Sequence, residues 1–255
     1  MSNKEEFLIT NDYDNIRLSQ THKEMDIMKY HTDLDNIKET AKLICLSVPI
    51  EPLLGGIVVS HPFTNTCNRY NSETGEWLDL TSKDGFNKWT ESLFKYIDEA
   101  ENVWKIYFIV NAPYKLVMIK YWKDDLCLED FTKLFKDAWI LSENPNDDIN
   151  VPIDMLIQWF TKADKRILMD DDELEVYNNL PDEFTIYRGM GRKSKRKGIS
   201  WTRNKEIAEW FMNRWEDEGG YMLMATVKKE NCLAYINARD EEEIIVDTRY
   251  IKIKE

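Results

Sequence analysis

Histidine is scarce in this chain of 255 residues: His22, His31 and His61 are the three, and all lie in the first quarter. Any chemistry in the second half proceeds without imidazole. Cysteine is nearly as sparse. Cys45, Cys67, Cys127 and Cys232 show no C-x-x-C spacing, which argues against a disulfide framework or a zinc site and for reduced, mostly packed thiols. With nine Gly, seven Pro, no linker of Ser/Gly or Pro and no internal repeat, collagen-like and low-complexity chains are excluded. The longest apolar stretches, around Leu43 to Ile50 and Ile106 to Val110, fall well short of the roughly 20 residues that cross a bilayer. The opening MSNKEEFLIT carries no apolar run of the secretory type. A cytoplasmic protein with no membrane partner is expected.

Apolar side chains are plentiful. At 43% hydrophobic and 12% aromatic, with nine Trp, the chain can build a sizeable core in one or two domains. Charge is uneven: residues 181–255 hold 15 basic and 14 acidic side chains, whereas residues 1–180 hold 19 and 33. So acidic a field repels nucleic acid at long range, and an anionic ligand has to be captured by a local basic patch. Arg192, Lys193, Lys195, Arg196 and Lys197 form one such patch. It reads either as a solvated loop or as a guide for phosphates of a ligand or acceptor.

The first 35 residues read as a partly mobile segment or an irregular helix. Leu43 to Ile50 and Ile57 to Val59 read as short strands, and TGEWLDL as a turn followed by a strand. From Phe86 through Trp89, Leu93, Phe94 and Ile97 the apolar spacing predicts a helix. WKIYFIV and YKLVMIKYW, joined at Asn111, Ala112 and Pro113, read as a hairpin. Helical spacing returns over Leu128 to Leu141, and SENPNDDIN after it reads as a subdomain boundary. Pro152 and Asp154 suit the first turn of a helix whose apolar side runs from Leu156 to Ile167. An acidic helix over Asp171 to Asn179 follows. Beyond Pro181 the pattern predicts strands at Phe184 to Tyr187, Gly198 to Thr202, Tyr221 to Val227, Cys232 to Ile236, Glu243 to Asp247 and Tyr250 to Ile253. One helix, Lys205 to Trp215, sits among them with Asn204 as its cap. The expected class is α+β with a compact C-terminal β core.

Three features of the last 70 residues carry chemistry. Arg188 closes a strand and precedes Gly189, a residue that permits close backbone approach to a ligand. The planar guanidinium fork suits a diphosphate, although a strand-end Arg also serves in ordinary ion pairs. In the strand Gly198 to Thr202, alternation puts Ser200 and Thr202 on one side and Trp201 on the other. The two hydroxyls hold either a ligand group or a neighbouring side chain, and Trp201 either packs into the core or narrows the site. Finally, Asp240 and Glu241 to Glu243 run into Ile244, Ile245 and Val246. Glu241 and Glu243 share a face, with Glu243 nearer the core, while Glu242 points to solvent. Such a run also forms ordinary solvated edges. Three consecutive Glu leave the register open, and Glu243 is chosen because the apolar strand begins directly after it.

In the order Arg, Ser-x-Thr, Glu-x-Glu, the chain resembles the ADP-ribosyltransferases of the Arg-Ser-Glu type, over about residues 184–254. LPDEFTIYRGM, GISWT, AEWF, LAYI and EEEIIVD are similar to a group of phage and bacterial proteins, and that likeness extends back to about residue 128. The family pattern is Ser-Thr-Ser where this chain has Ser200, Trp201 and Thr202. The resemblance implies a split β-sheet core with flanking helices over residues 126–255, behind an α/β region over residues 1–125. It implies NAD as substrate, with no metal. Arg188 would hold the NAD phosphates and ribose, Gly189 would lie near the nicotinamide amide, and Ser200 would orient Glu243. Thr202 would support the site, Glu243 would bind the nicotinamide ribose, and Glu241 would face the acceptor. The implied activity is mono-ADP-ribosyl transfer to a macromolecule, protein arginine or nucleic acid, as in a toxin or phage effector. Alternatives are plain NAD hydrolysis, an RNA 2′-phosphotransferase, or a non-catalytic nucleotide-binding module on the same scaffold.

Overall fold

A computed structural model describes residues 31–53, 57–191, 198–214 and 219–254. The first 30 residues and the basic run over 192–197 lie outside the described residues. The chain divides into two compact units, Met1–Asp130 and Phe131–Glu255.

In the N-terminal unit, α1 (Leu34–Ser47) starts where the Asp33 side chain accepts from the Asn36 backbone. Strands β1 (Pro52–Leu53), β2 (Val58–His61) and β3 (Thr64–Thr66) form one small antiparallel sheet. β4 (Asn68–Asn71) and β5 (Glu76–Asp79) form a hairpin. Helices α2 (Lys83–Asp98), α3 (Val103–Phe108) and α4 (Lys115–Trp122) complete the unit ahead of α5 (Leu128–Leu141).

Two sequence readings are overturned in this unit. Leu43 to Ile50 is not a strand, because the buried positions Ile37, Ala41, Ile44 and Cys45 continue a helical stripe that begins before the apolar run, and Leu43 and Leu46 face outward. Nor is there a hairpin over 104–122. The Asn102 side chain caps α3, the segment Ala112–Tyr114 is a single 3₁₀ turn, and α4 buries Leu116, Val117, Met118, Ile119 and Trp122. A helix enclosed on most sides shows a continuous apolar run, which periodicity cannot tell from a strand.

In the C-terminal unit, Phe131, Phe135 and Trp139 of α5 pack on Trp159 and Phe160 of α6 (Ile153–Lys162), with ring centroids 4.6 to 6.1 Å apart. The helix expected to reach Ile167 stops earlier. Ala163 is extended, the Asp164 N–H donates to Thr132 Oγ1 at 3.1 Å, and the Asp164 carboxylate caps the short α7 (Lys165–Leu168). Leu168 rather than Ile167 is then the buried side chain. Helix α8 (Asp171–Asn178) opens with a capping box between Asp170 and Glu173.

The strands of this unit are β6 (Glu183–Gly191), β7 (Ser200–Thr202), β8 (Gly220–Lys228), β9 (Cys232–Ile236), β10 (Glu243–Val246) and β11 (Lys252–Lys254). Helix α9 (Lys205–Asn213) lies between β7 and β8. They form one antiparallel sheet ordered β11-β8-β6-β7-β10-β9. The protein is thus mixed helix and sheet, in the α+β class. Residues 142–150 do not separate subdomains. They lie inside this unit, where Pro145 and Asn146 are buried in a 3₁₀ turn and Asn146 Oδ1 accepts from the Ile199 N–H at 2.7 Å.

Among the described residues no helix is long and apolar enough to cross a membrane, and no group of three or more His, Cys, Asp or Glu side chains is placed to hold a metal ion. All four cysteines are free. Burial pushes the thiols of Cys45 and Cys232 up to about 12, so neither supplies a thiolate at neutral pH.

Candidate active site

The sheet parts between β6 and β7. Only Tyr187 and Thr202 pair across these strands, whereas β6 pairs with β8 along its whole length. Arg188 stands just past that pair, and its Nη1 donates to the Ser200 carbonyl at 2.6 Å, so a side chain fills the place of the missing ladder bonds. β7 in turn pairs with β10, setting Thr202 opposite Glu243 and Ser200 opposite Ile245. Tyr187, Thr202 and Glu243 thus form a row across three strands. Ser200, two residues along, reaches Glu243 diagonally on the same face.

Around this opening lies a cleft of about 820 Å³ including its open mouth, lined by Arg188, Gly189, Ser200, Thr202, Glu241 and Glu243. All the site residues expected from sequence are therefore brought together.

Glu243 is only 5% exposed. Ser200 Oγ donates to its Oε1, and the Trp139 indole N–H donates to its Oε2 at 2.9 Å. With both oxygens held, the carboxylate cannot rotate freely. Loss of solvent pushes its pKa up. The two hydrogen bonds and the Arg239 charge pull it back down, and the Glu241 charge adds to the rise. The pKa of the Arg188 guanidinium is pulled down by burial, and the charges of Asp147 and Glu243 oppose that fall. Its Nε is enclosed and has no hydrogen-bond partner among the described residues.

Two glycines shape the site by what they omit. A Cβ on Gly198 would sit 2.2 Å from Arg188 Nη2, so the bare backbone lets the guanidinium lie flat against it. A Cβ on Gly189 would sit 1.7 Å from the Ala208 carbonyl of α9. Close approach at Gly189 is therefore first of all a matter of packing helix on strand, and the residue also lines the cleft.

Thr202 Oγ1 accepts from the Asn204 N–H at 3.0 Å, and the Asn204 side chain caps α9. The site hydroxyl thereby fixes the turn behind β7. Trp201 takes the core alternative: it is 2% exposed and its indole donates to the Gly198 carbonyl at 2.9 Å.

The acidic run departs from its sequence reading at Glu242. Asp240 and Glu242 both have left-handed backbones, at φ 56° and 45°, so β10 begins only at Glu243 and Glu241 belongs to the loop. Glu242 is not a solvent-directed strand residue. Its N–H donates to Asn237 Oδ1 at 2.9 Å, and its carboxylate accepts from Asn204 Nδ2 at 3.1 Å. Asn237 is anchored in turn by its N–H to the buried Glu173 carboxylate at 2.7 Å, which also takes Lys136 Nζ at 2.8 Å. These bonds over-determine a loop that local sterics disfavour.

Sequence reasoning missed four contributors. Trp139 looked like one more apolar residue on α5, and only its indole N–H, a donor that needs a partner when buried, hinted otherwise. Asn146 and Asp147 sat in a polar stretch with the composition of a linker. Arg239 is the one base beside an acidic run, and that adjacency is its signal in the sequence.

Compared with protein-family models, curated proteins and solved structures, the chain gives no match.

Proposed function

We propose that the C-terminal unit is an ADP-ribosyltransferase of the Arg-Ser-Glu type, taking NAD as substrate and transferring ADP-ribose to an acceptor. One observation carries this reading: a buried carboxylate, Glu243, held by Ser200, opens into the same cleft as the half-buried Arg188. The parting of β6 from β7 supports the finer fold reading of a split sheet.

Cleavage of the nicotinamide bond builds positive charge on the ribose. A carboxylate fixed in a poorly solvated place stabilises that charge more than it stabilises the neutral sugar. The burial that pushes the Glu243 pKa up makes the anion costly in the free enzyme, and that cost is relieved as the ribose becomes cationic. Ser200 and Trp139 keep the carboxylate aimed, and their hydrogen bonds favour its ionised form against the loss of solvent. Arg188 meets the diphosphate, and Nη1, bonded to the Ser200 carbonyl, ties phosphate recognition to the strand that orients Glu243. Nicotinamide departs neutral, so no general acid is needed, in keeping with a cleft that has no histidine among its lining residues.

The test is incubation of the full chain with NAD, alone and with lysate or RNA, followed by quantitation of nicotinamide and a mass search for ADP-ribose adducts. Nicotinamide release that falls about 100- to 1,000-fold in Glu243→Gln but persists in Glu242→Gln supports the reading. Full turnover in both variants refutes it. NAD binding without any turnover points to the non-catalytic module.

A further inference from the structure

Glu241 stands at the cleft rim with its carboxylate already engaged. Arg239 Nη2 lies 2.9 Å from Glu241 Oε2. Nη1 of the same guanidinium donates to the carbonyl oxygens of Ile140 at 3.1 Å and Ser142 at 3.4 Å. Those carbonyls belong to the end of α5, where acceptors lack intrahelical partners and carry partial negative charge. Arg239 is thus tied on both sides of its planar fork. The left-handed residues Asp240 and Glu242 bend the loop so that positions 239 and 241 meet. A partly exposed pair of this kind adds little stability, so its effect on what the cleft admits matters more.

An arginine acceptor needs the carboxylate edge that Arg239 occupies, and it would bring a second cation against the first. We propose that Arg239 is a specificity-determining residue. It fills, from within the chain, the place of a guanidinium acceptor on Glu241, so the cleft rejects arginine side chains and transfers ADP-ribose to a neutral acceptor, water included. The transfer half of this conclusion rests on the transferase reading above, and the exclusion half does not. In the step, a lone pair of the acceptor forms the bond to the ribose carbon. The C–N bond to nicotinamide breaks with its electron pair passing to the ring nitrogen, and the acceptor's proton goes to solvent.

The experiment uses agmatine as the guanidino probe on the full chain. Its binding is measured by calorimetry without NAD, and its adduct is sought by mass spectrometry with NAD. Wild type should give no agmatine adduct. Arg239→Gln should bind agmatine roughly tenfold tighter, about one step of 1.4 kcal/mol, and should form the adduct. Adding Glu241→Gln should abolish the gain. Arg239→Met serves as a second neutral variant should Gln disturb the loop. Wild type that binds or modifies agmatine as well as Arg239→Gln overturns the proposal. Tighter agmatine binding in Arg239→Gln with no nicotinamide released by either form supports the exclusion and refutes the transferase reading.

Discussion

Replacing Trp139 by Phe removes one hydrogen atom that matters, the indole N–H that meets Glu243 Oε2 at 2.9 Å. An aromatic ring remains to pack on Phe160, whose centroid lies 4.9 Å away in the native protein. A hydrogen bond to a charged group contributes about 1.5–3 kcal/mol, and here it acts on the ionised form alone. At about 1.36 kcal/mol per pH unit, its loss should move the acid limb of the nicotinamide-release profile upward by roughly one to two pH units. The sign follows from the carboxyl group itself: its pKa is already raised by burial, and removing a donor raises it further, so more of the enzyme is protonated and inactive at a given pH. Below the limb the rate should fall about 10- to 100-fold, and it should recover at higher pH. The smaller ring also leaves space that costs stability, read separately as a lower melting temperature. Should the rate drop equally at all pH values with the limb unmoved, the indole is only packing and the orientation argument for Glu243 fails.

Further consequences concern charge and space. Glu243→Gln should raise the melting temperature at neutral pH, because a desolvated charge is removed. The contribution of Glu243 is fully present below the ordinary carboxyl value of 4.5 and is lost as pH rises through the raised native value, so the variant's advantage should vanish in acid. An advantage that grows toward low pH contradicts this. Gly198→Ala should disable the cleft by displacing Arg188, whose Nη2 would lie 2.2 Å from the new methyl, and should cost about 1–3 kcal/mol of stability by overpacking. NAD affinity equal to wild type would show that the guanidinium is not needed. In the N-terminal unit, His61 is fully buried between the Cys45 carbonyl at 3.0 Å and the Phe63 N–H at 3.1 Å, and desolvation lowers its pKa. Its stabilising contribution is present above the ordinary value of 6.5 and is lost as pH falls through the native one, at up to about 1.4 kcal/mol per pH unit. Calorimetry of the full chain between pH 7 and 5 should show this loss, flattened in His61→Gln; an unchanged slope in that variant assigns the loss elsewhere.

Local signals served well where one face of an element is buried. The α5 boundaries, the Asn204 cap, the Gly75 turn before β5 and the positions along the chain of the strands after Pro181 follow from spacing and turn chemistry that neighbouring residues impose on one another. They failed where burial is nearly complete. The run over 115–122 is a helix because other elements cover most of its surface, a condition absent from its own periodicity. The candidate site divides along the same line. Ser200 and Glu243 were legible as chemically marked residues at strand ends; Arg188 was legible by its chemistry alone, since it does not close its strand as expected and β6 runs on past it to Gly191.

The sequence by itself determined the α+β class and the three residue types that meet in the cleft, since these depend on alternation along each strand and on side-chain chemistry. Only the tertiary structure decided how those residues are used. It gave Glu243 its second donor from a helix 104 residues away in the chain, turned Glu242 onto Asn204, and set Arg239 against Glu241. Hydrogen bonds across such separations, and the desolvation that makes them matter, arise from which surfaces come together, and no local pattern of residues encodes that.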